Sequence, residues 1–180
     1  MGTSEKERVF GVNLQKLFKV QAELDKKIIE EKGLEGQDLL DKKILALQVE
    51  LGELANELPE EFKFWANKYN DREKALKEYV DCLHFILSIG LEIGVCQEEL
   101  DVEPIFCANV KEQFIDLFYE VSHLRYEERN GRLYEDYLRY DIVLEHFVGL
   151  GEMLGFTWEE VEQAYYTKNK ENHERQENGY

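Results

Sequence analysis

Only two prolines, Pro59 and Pro104, punctuate this 180-residue chain, and the long stretches between them are rich in Leu, Glu, Lys and Ala. Proline removes a backbone donor and breaks a helix from within, whereas those four residues lose least on entering one. No alternating run of β-branched residues bounded by hairpin signals accompanies them, so no sheet is expected. The pattern predicts an all-α fold. With no break in composition, it predicts a single domain over residues 1–180.

Apolar residues recurring every three to four positions set out the helices. A first is expected over about Val12–Lys32, with Leu14, Leu17, Phe18, Gln21, Leu24 and Ile28 on one face and Gly33 and Gly36 ending it. A second, about Asp41–Leu58, carries Ile44, Leu47, Leu51, Leu54 and Leu58, and Pro59 stops it. A short aromatic helix is expected over Glu60–Tyr69, and Asp71 reads as the N-cap of a long helix reaching about Gly94. After an acidic loop, Gln97–Pro104, come Asn109–Arg129 and Leu133–Leu154, joined by a turn at Asn130-Gly131. Thr157 and Glu160 form a capping box for a last helix toward Asn169. Residues 170–180 are too polar to bury themselves and are expected as a tail.

The formal net charge of −17 argues against nucleic acid and anionic membrane as partners, since a phosphate surface repels it. A small phosphorylated molecule stays compatible if divalent cations stand between. Acidity alone equally well serves solubility. Cys82, Cys96 and Cys107 lack C-x-x-C spacing and are odd in number, so neither a disulfide framework nor a zinc knuckle is indicated. The polar stretch Met1–Arg8 has no signal-peptide core, and the most apolar stretch, Tyr79–Val95, contains Asp81, His84 and Glu92, costly in lipid. The expected compartment is the reducing cytoplasm.

Within the second helix Glu50 and Glu53 lie three apart, and Glu78 and Asp81 repeat that spacing on the next long one. Residues at i and i+3 share a helical face, so if the two helices pack together four hard oxygen donors converge. Mg²⁺ or Mn²⁺ prefers that set, and metals near phosphates neutralise charge and activate water. Glu57 extends the same face by a turn. A solvated acidic face has the same spacing, and spacing alone does not decide between the two readings. Asp81 does open a nearly apolar run, Cys82–Gly90, in which an unpartnered carboxylate is expensive. His84 borders that place, although a lone histidine in an apolar run is more often a satisfied core residue. The polar run Tyr165–Tyr180 holds basic and amide groups suited to phosphate oxygens, and by itself is merely a polar tail.

Together these segments resemble the dimeric, all-α dUTPase family of the MazG-like nucleotide pyrophosphatase superfamily, closest to the branch of Gram-positive bacteria and their phages. The likeness is carried by Leu17–Asp25, by Ala46–Glu57, by Phe62-Lys63-Phe64-Trp65, by Glu78–Phe85 and by the C-terminal run. An E-x-x-E preceding an E-x-x-D by about two dozen residues is specific to the superfamily. The resemblance implies that Glu50, Glu53, Glu78 and Asp81 bind Mg²⁺, and that Glu53 also positions or deprotonates the attacking water. It implies a base and deoxyribose pocket of Gln21, Asp25, Trp65, His84 and Phe85. The family often has Asn where Asp25 stands, and an ionised Asp accepts hydrogen bonds but donates none. Lys168, Asn169, Asn172, Arg175 and Gln176 would close over the phosphates, with Tyr180 helping to fix the tail. The implied reaction is hydrolysis of dUTP to dUMP and pyrophosphate by a homodimer. That reaction keeps uracil out of DNA and supplies dUMP. The alternatives are a related pyrophosphatase acting on dCTP or another nucleoside triphosphate, and a non-catalytic helical interaction protein.

Overall fold

The computed structural model describes residues 14–95, 97, 100–129 and 133–179, with side chains at all of these except 125–129 and 133–138. The segment before Leu14, Cys96, the expected Asn130-Gly131 turn and Tyr180 lie outside the described residues. Six α-helices follow in chain order: α1 Leu14–Lys32, α2 Leu40–Asn56, α3 Arg72–Ile93, α4 Val110–Arg129, α5 Leu133–Met153 and α6 Trp158–Glu177. Among the described residues there is no strand. The fold is all-α, as the proline-poor pattern requires.

Helix α3 is the axis of the bundle. It packs against α1, α2, α5 and α6, while α4 lies across α2 and along α5. Its centrality follows from its sequence: Val80, Cys82, Leu83, His84 and Ile86–Gly90 are buried, more than one amphipathic stripe could cover. Helix α2 is the simpler case, burying Leu40, Ile44, Leu47, Leu51 and Leu54 at alternating spacings of four and three. Buried tyrosines tie the layers together by backbone hydrogen bonds. Tyr79 O–H donates to the Phe147 carbonyl at 3.0 Å, and Tyr140 O–H donates to that of Ile86 at 3.1 Å.

The ends of α3 are the ones its sequence specifies. Asp71 accepts from the Lys74 N–H, and Gly94 closes the helix at φ 76°, a left-handed conformation that costs glycine nothing. Two expected elements take a different form. Between α2 and α3, residues Pro59–Glu61 make one 3₁₀ turn, and the stretch through Tyr69 is turn and coil, not an aromatic helix. Glu60 and Asn70 exchange hydrogen bonds there, each side chain accepting the other's backbone N–H at 3.0 Å, an alternative to helical pairing. Helix α6 in turn runs past Asn169 to Glu177. Its Thr157–Glu160 capping box is formed in both directions. Its polar end is held by Lys27, which contacts Glu177 at 3.0 Å and the His173 carbonyl at 3.4 Å. A polar segment thus extends a helix by ion pairing where it could not by burial.

Candidate active site

The seam between α2 and α3 is built from leucines, and the residues flanking it are acidic. Leu47, Leu51 and Leu54 face inward, so Glu50 is carried to the edge of the seam, where Glu78 and Asp81 arrive from α3. One carboxylate oxygen from each of Glu50, Glu78 and Asp81 lies within 4.8 Å of the other two. Glu53 is not within that group. It is exposed one turn further on, yet near enough for its charge to act on Glu50 and Glu78.

Burial and like charge raise the affinity of this cluster for protons. Partial burial, reinforced by Asp81, Glu53 and Glu78, pushes the Glu50 carboxyl up to about 7. Burial, and then Asp81, raise Glu78. Burial raises Asp81 too, against the pull of Lys168. Lys168, on α6, places its ammonium directly on the Asp81 carboxylate. Lys168 thus answers three converging carboxylates, with Arg175 adding a weaker pull on Asp81, and a donor set of hard oxygens fits a divalent metal ion. Cys82, buried beside these charges, is held as a thiol far above its ordinary range, chiefly by burial.

Next along α3 a hydrogen-bonded chain runs inward. Gln21, buried on α1, accepts at Oε1 from His84 Nδ1 and from Tyr165 O–H, both at 2.8 Å. Its Nε2 donates to Asp25 at 2.7 Å, and Asp25 accepts also from Ser88 O–H at 2.5 Å. An ionised Asp25 can only accept, so it fixes which way the Gln21 amide points. The Gln21 oxygen can likewise only accept, so His84 carries its proton on Nδ1 and a lone pair on Nε2. Burial, with a smaller push from Lys168, lowers His84 to about 3, so the ring is neutral. Among the described residues, its buried Nε2 meets no hydrogen-bond partner, nor does Asn169 Nδ2. The Tyr165 ring stacks on His84 with centroids 4.2 Å apart.

A family model described as dUTPase matches residues 13–180, from the start of α1 through α6. The chain belongs to the dUTPase family. The activity is that of a dUTP diphosphatase, an enzyme of nucleotide metabolism that hydrolyses a nucleotide substrate. A search of curated proteins finds no match. Among the described residues no helix is long and apolar enough to cross a membrane.

This dUTPase brings together Glu50, Glu78, Asp81 and Lys168, and separately Gln21, Asp25 and His84. Phe85 is partly buried against the core. Trp65 is 66% exposed, its ring edge-on to Phe62 and Phe64 in the loop before α3. Asn169 is buried on the face of α6 that carries Val161 and Tyr165; Asn172 and Gln176 are partly buried and Arg175 exposed. Lys168 also lines a groove of 340 Å³ between α3 and α6, with Leu76, Val80 and Ala164. Three participants escaped sequence reasoning: Tyr165, Ser88 and Lys43, whose ammonium lies 3.7 Å from Asp25. For Tyr165 a signal existed, since Val161, Tyr165 and Asn169 repeat at intervals of four on an otherwise polar helix.

Proposed function

We propose that dUTP hydrolysis by this enzyme is Mg²⁺-dependent and yields dUMP and pyrophosphate, with Glu50, Glu53, Glu78 and Asp81 holding the ions. The observation that carries this reading is the meeting of Glu50, Glu78 and Asp81 within 4.8 Å across two helices. An all-oxygen donor set is what Mg²⁺ takes, with Mn²⁺ as its closest substitute. When bound, such ions offset phosphate charge and make a nearby water easier to deprotonate.

The chain's own groups do the rest. Glu53, exposed beside the cluster, orients the attacking water and takes its proton. Lys168, Asn169, Asn172, Arg175 and Gln176 bind the phosphates, and the polar C-terminal segment, 170–180, closes over them. Arginine and lysine there offset the charge that builds on the departing pyrophosphate. Gln21, Asp25, His84, Phe85 and Trp65 form the base and sugar pocket. The neutral His84 offers an acceptor to an imide N–H, which uracil has. The same residues support placement in the MazG-like superfamily and in its Gram-positive and phage branch. Free thiols at Cys82 and Cys107 accord with a cytoplasmic enzyme.

Dimerisation belongs to the same reading. Leu45 and Val49 on α2, and Ile115 and Tyr119 on α4, are each more than half exposed, on helices that pack together. A second copy of the chain is the partner that would cover them.

The deciding experiment is phosphorus NMR of the products with a panel of nucleotides, with and without Mg²⁺. Expected are dUMP and pyrophosphate from dUTP, no reaction after chelation, and none with Asp81→Asn. Release of inorganic phosphate with dUDP, or turnover indifferent to chelation, would overturn the mechanism. Equal turnover of dCTP or dTTP would overturn the base pocket.

A further inference from the structure

We propose that Cys107, Asp116 and His146 form a second metal site, one for Zn²⁺, that shares no residue with the carboxylate cluster. A ligand atom from each of the three lies within 4.8 Å of the other two. They come from three places: the segment leading into α4, α4 itself and α5. Ligands on a tetrahedral zinc ion stand about 3.5 Å apart, and Cys107 Sγ and Asp116 Oδ2 already lie 3.3 Å from each other. Asp116 is exposed and Cys107 partly so, which leaves their side chains room to move.

The backbone beneath is fixed. Gln113, fully buried, donates to the Ile105 and His146 carbonyls, both at 2.7 Å, and accepts from the Cys107 N–H at 2.7 Å. Ile105 N–H donates to the Glu145 carbonyl at 3.1 Å. Gly149 lets the segment lie directly on α5, since a Cβ there would stand 2.1 Å from the Ile105 oxygen. These contacts hold Cys107 over the α4–α5 seam with no help from its own side chain.

The donor chemistry selects the metal. His146 Nδ1 is 2.9 Å from the Ile142 carbonyl, which can only accept, so Nδ1 bears the proton and Nε2 the lone pair. A backbone carbonyl on one ring nitrogen is the usual way a metal-binding histidine is oriented. Thiolate, imidazole and carboxylate together suit Zn²⁺, whereas Mg²⁺ and Ca²⁺ take oxygen alone. The Cys107 thiol now donates to Asp116 at 3.3 Å. Zn²⁺ would replace that proton: a zinc–sulfur bond forms as the S–H bond breaks, and one proton leaves to solvent. A nucleophilic cysteine is the rival reading. It needs a lowered thiol, but burial and Asp116 push Cys107 up to about 11.

The test uses the intact protein in excess Mg²⁺, which keeps the carboxylate cluster filled. Co²⁺ is added as a spectroscopic probe and Zn²⁺ as its competitor. One equivalent of Co²⁺ should produce a near-ultraviolet thiolate-to-cobalt band, bleached by one equivalent of Zn²⁺. Cys107→Ser, with Cys82 intact, should abolish the band. Asp116→Asn, a surface change that spares the fold, should weaken Co²⁺ binding about 10-fold or more. No band in the wild type, a band surviving in Cys107→Ser, or affinity unchanged in Asp116→Asn would each overturn the site. None of these readouts depends on nucleotide hydrolysis, so failure here and failure of the proposed mechanism are distinguishable.

Discussion

Glu50 ties the carboxylate cluster to pH. Its carboxyl is raised by folding to about 7 from an ordinary value of 4.5, so between those limits the folded state binds more protons than the unfolded one. The proton-linked stabilisation is therefore complete below about 4.5 and is lost as pH rises through about 7. His84, lowered by burial, works in the opposite direction below its ordinary 6.5, so the Glu50 contribution is read as a difference. In thermal melts in chelator, wild type should lose more Tm than Glu50→Gln as pH rises from 5 to 8, and identical pH profiles would disprove the linkage. Asp25 makes a different demand. Asp25→Ala leaves the Gln21 amide without its anchor and should raise KM for dUTP about 10-fold, the order of one lost charge-assisted hydrogen bond, with a smaller change in kcat. Steady-state kinetics, with Tyr165→Phe as the milder comparison, test it. Three-residue spacing brings Glu78 and Asp81 together because both project to one side of α3, whereas Glu53 stays outside the group that Glu50 joins. The sequence hides Tyr165, Ser88 and Lys43 because their partners are 144, 63 and 18 positions distant, brought near only by packing.

Helices α1 to α5 lie close to where periodicity puts them, since each follows an apolar stripe or a capping residue that acts locally. The departures have local causes also. Aromatic content alone does not make a helix of residues 60–69, where Phe64 and Tyr69 are almost wholly exposed and turn-forming side chains take up the backbone donors. Helix α6 is the opposite case: its packed apolar residues, from Trp158 to Tyr166, lie in its first half, and the polar second half depends on charges. Thr157→Ala should cost about 1 kcal/mol of stability, measurable by urea unfolding. Arg72 also pairs with Glu160 at 2.9 Å, a tie at that end that survives loss of the Thr157 hydroxyl. A variant as stable as wild type would mean that α6 is held by its contacts with α1 and α3 instead.

For the whole molecule, filling the carboxylate cluster should stabilise the fold by mass action. Mg²⁺ at 100 times its Kd should add about 2.7 kcal/mol, seen as a rise in Tm that Glu78→Gln together with Asp81→Asn removes. Leu45→Glu with Ile115→Glu should convert a dimer to monomers in light scattering. An unaltered mass would place the interface elsewhere.

The contacts of α6 also set an order in time. Synthesis runs from the N-terminus, and earlier segments can begin folding before later ones exist. Yet Gln21 waits for the Tyr165 hydroxyl, and Asp81 for the Lys168 ammonium, 144 and 87 residues later. A nascent chain still lacking α6 leaves Gln21 without Tyr165 and Asp81 without Lys168. Under the proposed mechanism hydrolysis should await the completion of α6, and a chain cut short before it should show none.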